Sequence, residues 1–198
     1  IFKTIPFDSK GTAHIVEHSV LAGSEKFPLK DPFVQLLKSS MYTFLNAMTY
    51  TDKTVYPASS IVEADYFNLM TVYGDAVFFP LLREATFLQE GIRVQKNEDG
   101  SCSYGGVVYN EMKGNYSEHN SVLAEWSTRS LFPDTAYRFD SGGTPEEIRK
   151  LSYREFRDFH ARYYHPSNAR IFLYGNIDTE KQLDFIDNKF LSRFSHSS

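Results

Sequence analysis

Two histidines one helical turn apart, with a glutamate beside the second, constrain this chain more than any other feature. They lie in His14-Ile15-Val16-Glu17-His18. On an α-helix, positions i and i+4 share a face. Both imidazoles can therefore reach one metal ion, and Glu17 flanks the same face. Two imidazoles alone make an incomplete site for zinc, which in reactive centres takes three protein ligands and keeps one position open. A third ligand has to come from elsewhere in the chain. His119, His160 and His165 are available. Glu111 has the more suggestive setting, because Gly105-Gly106 and a short apolar run lead into it, and glycines permit close backbone approach. Spacing alone does not choose among the four.

Composition narrows the class. The formal net charge of −4 is too mild to point to nucleic acid or an anionic membrane surface. No apolar run is long enough for a membrane span, and no stretch reads as a signal segment. The one cysteine, Cys102, rules out an internal disulfide. It leans towards a reducing compartment such as cytoplasm or an organelle lumen, and in a polar loop without nearby histidine it is no candidate nucleophile. The chain opens at Ile1 inside what reads as a strand and closes on the polar stretch Ser192 to Ser198. Both ends suggest a piece of a longer protein.

Local signals give the order of elements. A first helix is predicted from Thr12 to Ala22 with Gly23 closing it. Asp31-Pro32 opens a second, ending near Ser39. Tyr42 to Met48 reads as a strand with Thr54 to Ser59 as its partner. Ile61 to Phe78 has helical apolar spacing, which Pro80 to Arg83 continues or restarts. Phe87 to Val94 reads as strand or irregular, and Asp99-Gly100 marks a hairpin turn. A helix follows from Glu111 to Ser130, then a tight Ser141-Gly142-Gly143 loop. Thr144-Pro145-Glu146-Glu147 starts a helix, and Ser152 to Tyr163 opens on a capping box. Arg170 to Tyr174 is predicted as a strand and Thr179 to Phe190 as a last helix. The irregular alternation with at least one hairpin predicts an α+β fold with a mixed, largely antiparallel sheet packed against helices.

A family resemblance rests on longer stretches. Gly11-Thr12-Ala13-His14-Ile15-Val16-Glu17-His18-Ser19-Val20-Leu21 resembles the metal helix of the inverzincin family, the pitrilysin- and insulinase-type M16 metallopeptidases. Residues 28–59, with Phe44-Leu45-Asn46-Ala47-Met48-Thr49-Tyr50, are similar to one branch, that of presequence protease and falcilysin. Gly106-Val107-Val108-Tyr109-Asn110-Glu111-Met112-Lys113-Gly114 resembles that branch's distal-ligand segment. Ser141-Gly142-Gly143 and Tyr163-Tyr164-His165-Pro166-Ser167-Asn168 resemble further landmarks, so the likeness covers nearly the whole chain.

The resemblance implies one zinc ion per chain, held by His14, His18 and Glu111, with Glu17 as general base. The activity implied is that of a zinc-dependent endopeptidase hydrolysing unstructured peptides such as targeting presequences. Asn46, Ala47 and Met48 would lie on an edge strand beside the metal, where an extended peptide adds through main-chain hydrogen bonds. Family members are much longer, with two halves closing around a chamber. Residues 1–198 are thus expected to form a single N-terminal zinc-binding catalytic domain. Its partners would be peptide substrates and the remaining domains of the same chain, and the isolated piece would hydrolyse peptides poorly. Several relatives carry an acid seven residues before the distal ligand. Here that position is Tyr104, and Glu118 is a weak substitute. Two rival readings are a non-catalytic partner subunit of the same fold and an insulinase-like peptidase of another branch.

Overall fold

Helix α1 (Thr12–Val20) runs through the middle of the molecule, and of its nine residues all but His18 are buried. This is a computed structural model, and it describes residues 1–195; the end of the polar tail, 196–198, lies outside the described residues. Gly11 launches α1 from a left-handed conformation (φ 67°). A Cβ at Gly11 would sit 2.5 Å from the Gly142 carbonyl oxygen, so the glycine also allows the Ser141-Gly142-Gly143 loop to lie against the start of the helix.

The chain then forms α2 (Pro32–Ser39) and a long, interrupted hairpin. Its first arm is β2 (Tyr42–Leu45) and β3 (Met48–Thr49); its second is β4 (Lys53–Val55) and β5 (Ala58–Ser60). All pairings are antiparallel: β2 with β5 (Leu45 opposite Ala58), and β3 with β4 (Met48 opposite Val55, Thr49 opposite Thr54). The first strand, β1 (Phe2–Lys3), covers the other side of β4, giving the order β1-β4-β3 with β3 at the edge. Helices α3 (Glu63–Phe78) and α4 (Glu84–Glu90) follow, then the β6 (Arg93–Lys96) and β7 (Cys102–Gly105) hairpin. The remaining helices are α5 (Val107–Asn115), α6 (His119–Leu131), α7 (Pro145–Ile148), α8 (Tyr153–Tyr163) and α9 (Thr179–Lys189).

Helix α1 packs against α4, α5, α8 and β3. Ile15, Val16 and Val20 join Phe87, Val108, Ile148, Phe156 and Phe159 in the main core. The capping box on α8 forms as its sequence predicts: the Ser152 side chain accepts from the Glu155 backbone and Glu155 reaches back to the cap. It fixes the start of the helix that drives Phe156 and Phe159 into α1. The α+β architecture with antiparallel pairing agrees with the sequence expectation.

Several boundaries differ from expectation. Helix α1 ends at Val20, two residues short of Ala22. The two hairpin arms are each interrupted, at Asn46-Ala47 and at Tyr56-Pro57, where proline has no N–H to donate. Pro80 to Arg83 is not helical, whereas much of Phe87 to Val94 is: α4 runs to Glu90 before β6 begins. Cys102 lies at the start of β7 and not in a loop. The helix expected over Glu111 to Ser130 starts earlier, at Val107, and is two helices broken at Tyr116–Glu118, just after Gly114. Finally, Arg170 to Tyr174 is not a strand. Ile1 and Arg170 exchange backbone hydrogen bonds (3.0 and 2.8 Å). Past Arg170 no described strand lies opposite, and Phe172 and Tyr174 stand in solvent. An extended segment without a partner has no ladder to join.

Candidate metal centre

Helix geometry brings the two imidazoles of α1 together. The His14 and His18 rings lie 4.9 Å apart, centroid to centroid, at 78°. Glu111 reaches them from the second turn of α5. Its Oε1 is 3.7 Å from His14 Nε2 and its Oε2 3.8 Å from His18 Nε2. One ligand atom from each of the three side chains falls within 4.8 Å of the others. Ligand atoms around a tetrahedral zinc with ~2.0–2.1 Å bonds stand ~3.3 Å apart, so the three converge to nearly the required separation. Two nitrogens and one carboxylate oxygen are also a donor set that suits zinc. His119, at the exposed start of α6, is not part of this cluster. Neither is His160, which donates to the Val77 carbonyl, nor His165, which caps a short 3₁₀ turn at Pro166–Asn168.

The glycine pair before α5 explains how Glu111 arrives. Gly106 has φ 150°, and a Cβ there would lie 2.0 Å from the Gly91 carbonyl oxygen. Only glycine lets the start of α5 cross so close to the segment after α4. From that crossing, Val108 and Met112 enter the core while Glu111, one turn on from Val107, faces α1.

Each histidine has its Nδ1 occupied on the side away from Glu111. His14 Nδ1 is 3.3 Å from the Gly142 carbonyl. Asp140 holds that loop, accepting from the Gly142 backbone N–H (2.8 Å) and the Tyr116 hydroxyl (2.7 Å). His18 Nδ1 is 3.4 Å from Glu90 Oε2. A donor Nδ1–H in each ring leaves the Nε2 lone pair directed at the cluster. Burial disfavours the charged form of His18. The Glu90 carboxylate at its Nδ1, with Glu17 and Glu111 nearby, outweighs that and holds its pKa above the ordinary value. Glu90 is shifted the other way: desolvation would raise it, but the bonds from His18 and Gln89 leave it lowered. Three carboxylates around two imidazoles make this a place where a cation is favoured.

Glu17 is buried on α1 and accepts a hydrogen bond from Thr49 Oγ1 (2.9 Å) on β3. His14, Glu17, His18, Glu111, Ala47 and the β3 residues Met48 and Thr49 line one cleft of about 540 Å³. Asn46 is not among its lining residues. Its side chain accepts from the Ala47 backbone N–H (3.0 Å), and its carbonyl accepts from the Tyr73 hydroxyl. Tyr104 is at the surface, its ring against Tyr109 and under Arg149. Glu118 is the exposed residue before α6. Sequence reading missed Glu90 and Thr49. A signal for Glu90 existed: a lone acid closing an apolar helical turn, directly before a glycine.

The sequence matches two family profiles, "Insulinase (Peptidase family M16)" over residues 6–102 and "Peptidase M16 inactive domain" over residues 150–198. Among curated proteins, Protein HypA of Clostridium perfringens is 53% identical over 98% of this chain and 20% of its own length. Presequence protease 1, chloroplastic/mitochondrial, of Arabidopsis thaliana is 48% identical over 100% of this chain and 18% of its length. The Drosophila melanogaster mitochondrial presequence protease is 48% identical over 96% and 19%. The chain thus spans about a fifth of the curated relatives it matches. Among solved structures, a protease from Helicobacter pylori superposes with a TM-score of 0.77 at 19% identity, over 100% of this chain and 46% of that one. Pitrilysin does so at 0.69 and 20% identity, over 96% and 19%. Likeness at that identity speaks to the fold. No helix among the described residues is long and apolar enough to cross a membrane.

Proposed function

Because this chain belongs to the M16 peptidase family, in its presequence protease branch, we propose that it is the zinc-binding catalytic domain of a longer endopeptidase acting on extended, unstructured peptides. The observation that carries this reading is the meeting of His14, His18 and Glu111 with Glu17 in one cleft. His14 and His18 would hold the ion through Nε2 and Glu111 through its carboxylate. Zinc at such a site supplies Lewis acidity, bringing the pKa of water towards about 7 and polarising a carbonyl.

The chain's own residues do the rest. Thr49 binds one oxygen of Glu17 and leaves the other for proton transfer. Glu17 takes the proton of the attacking water and delivers it to the departing amine. Strand β3, with Met48 in it and Ala47 just before it, runs along the cleft and is an edge of its sheet. An extended peptide laid beside it would be held by main-chain groups, which tolerates many sequences. Asn46 would act less directly, through its own hydrogen bond to the Ala47 N–H. Residues from the rest of a longer chain would complete the grip on substrate, so the 198-residue piece alone should turn over slowly.

The deciding experiment pairs metal analysis with peptide cleavage by the intact enzyme and its E17Q variant. The reading requires about one zinc per chain in both, chelator-sensitive cleavage in the first and loss of cleavage in the second. Wild-type cleavage rates in E17Q would remove Glu17 as the base. A chain that takes up no zinc would favour the rival reading, a partner subunit without catalysis.

A further inference from the structure

A carboxylate in an unfavourable place supports one more assignment. Glu90 is the last residue of α4, and it is buried. Negative charge at a helix C-terminus opposes the helix dipole, and desolvating a carboxylate costs more again. A Glu at this point weakens the fold unless specific partners offset the cost. Two are present. Gln89 Nε2 donates to Oε1 (2.8 Å), and His18 Nδ1 faces Oε2 at 3.4 Å. The following residue, Gly91, lies against both neighbouring elements of the centre. A Cβ on it would meet Ile15 of α1 at 3.0 Å, and its carbonyl is what Gly106 passes before α5. The end of α4 is therefore wedged between the helix carrying His18 and the helix carrying Glu111, with its carboxylate aimed at the imidazole.

We propose that Glu90 is a positioning residue for the metal centre: its carboxylate accepts from the His18 Nδ1–H, fixing the ring's tautomer and rotation so that the Nε2 lone pair meets the ion. It occupies the role left open by Tyr104, reached from α4 and not from the strand before α5. The Gly142 carbonyl does the same for His14, so each imidazole has its own acceptor, one charged and one neutral. The inference rests on the zinc reading above. Partners of this kind change metal affinity by about 10- to 100-fold when removed.

The test measures zinc affinity of the chain by chelator competition, beside the thermal midpoint of the metal-free protein, for wild type, E90Q and E90L. Wild type that binds no zinc would defeat the proposed function itself. If wild type binds, E90L should bind about 10- to 100-fold more weakly. E90Q keeps an acceptor oxygen and should fall between. The metal-free midpoint reads separately how far the bonds of Glu90 to His18 and Gln89 support the fold. Equal zinc affinity in all three would overturn the role of Glu90 while leaving the metal site standing. Should E90L fail to fold, nitrogen NMR of the zinc-loaded wild type decides: His18 must show a protonated Nδ1 and a metal-bound Nε2, and the reverse pattern refutes the proposal.

Discussion

His160 makes a sharp prediction about stability and pH. It lies on α8, where its Nε2 donates to the Val77 carbonyl (2.9 Å) and its ring stacks on Tyr164 at 4.6 Å. Burial strips water from the charged form and lowers its pKa from 6.5 to about 4, with the Val77 carbonyl opposing only in part. The unfolded chain takes up this proton near pH 6.5, the folded chain only near 4. Between those values the unfolded state binds more protons, so folding stability must fall as pH falls. The contribution is complete above pH 6.5 and gone below about 4. At ~1.4 kcal/mol per tenfold change in proton affinity, it amounts to about 3 kcal/mol, most of it lost by pH 4.5. Carboxylates and His18 titrate too, and a comparison with H160Q removes them, since a glutamine can still donate to Val77. Urea unfolding of both proteins between pH 7 and 4.5 should show wild type losing about 2 to 3 kcal/mol more than the variant over that range. Parallel curves, or a His160 ring proton that titrates near 6.5, would refute the account.

Three further outcomes follow from the packing and the site. Gly106→Ala forces a Cβ towards the Gly91 carbonyl at a positive φ, and should cost about 3 kcal/mol or more; a melting temperature within two degrees of wild type would contradict it. Phe156→Ala empties a fully buried site between the Phe87 and Tyr153 rings. It should cost about 3–5 kcal/mol in urea unfolding. Thr49→Val removes the hydrogen bond to Glu17 and should lower kcat of the intact enzyme about tenfold, with zinc content unchanged. A drop in zinc content instead would mean that Thr49 supports the metal and not the base.

How much of this could be read from the sequence depended on distance along the chain. His14, Glu17 and His18 were legible because one helical turn relates them, and the capping box before α8 was legible for the same reason. Glu111 was not reachable by spacing and came from resemblance. What joins it to the histidines is the crossing of Gly106 over Gly91, and neither glycine announces the other. The same crossing explains the misplaced start of α5: two glycines and a short apolar run read as an approach to a helix opening at Glu111, whereas Gly106 at φ 150° turns directly into the helix. Arg170 to Tyr174 had the right residues for a strand, but a strand is a relation between two segments, and only Arg170 has a described partner.

The buried helix α1 raises a question that the predictions above share. Three ionisable groups on a nearly fully buried helix should be a serious liability. They are tolerated because each meets a partner from a different element: Gly142 of the loop before α7 for His14, Glu90 of α4 for His18, Thr49 of β3 for Glu17. Glu111 of α5 faces both imidazoles. The core residues that bring these elements to α1, such as Phe87, Val108 and Phe156, therefore also set the distances within the centre. Stability and site geometry are then one property measured in two ways. Substitutions such as Phe156→Ala should weaken zinc binding as well as folding, although Phe156 touches no ligand. Substitutions at Glu90 should fall more heavily on zinc binding than on folding, because its carboxylate meets the His18 ring directly.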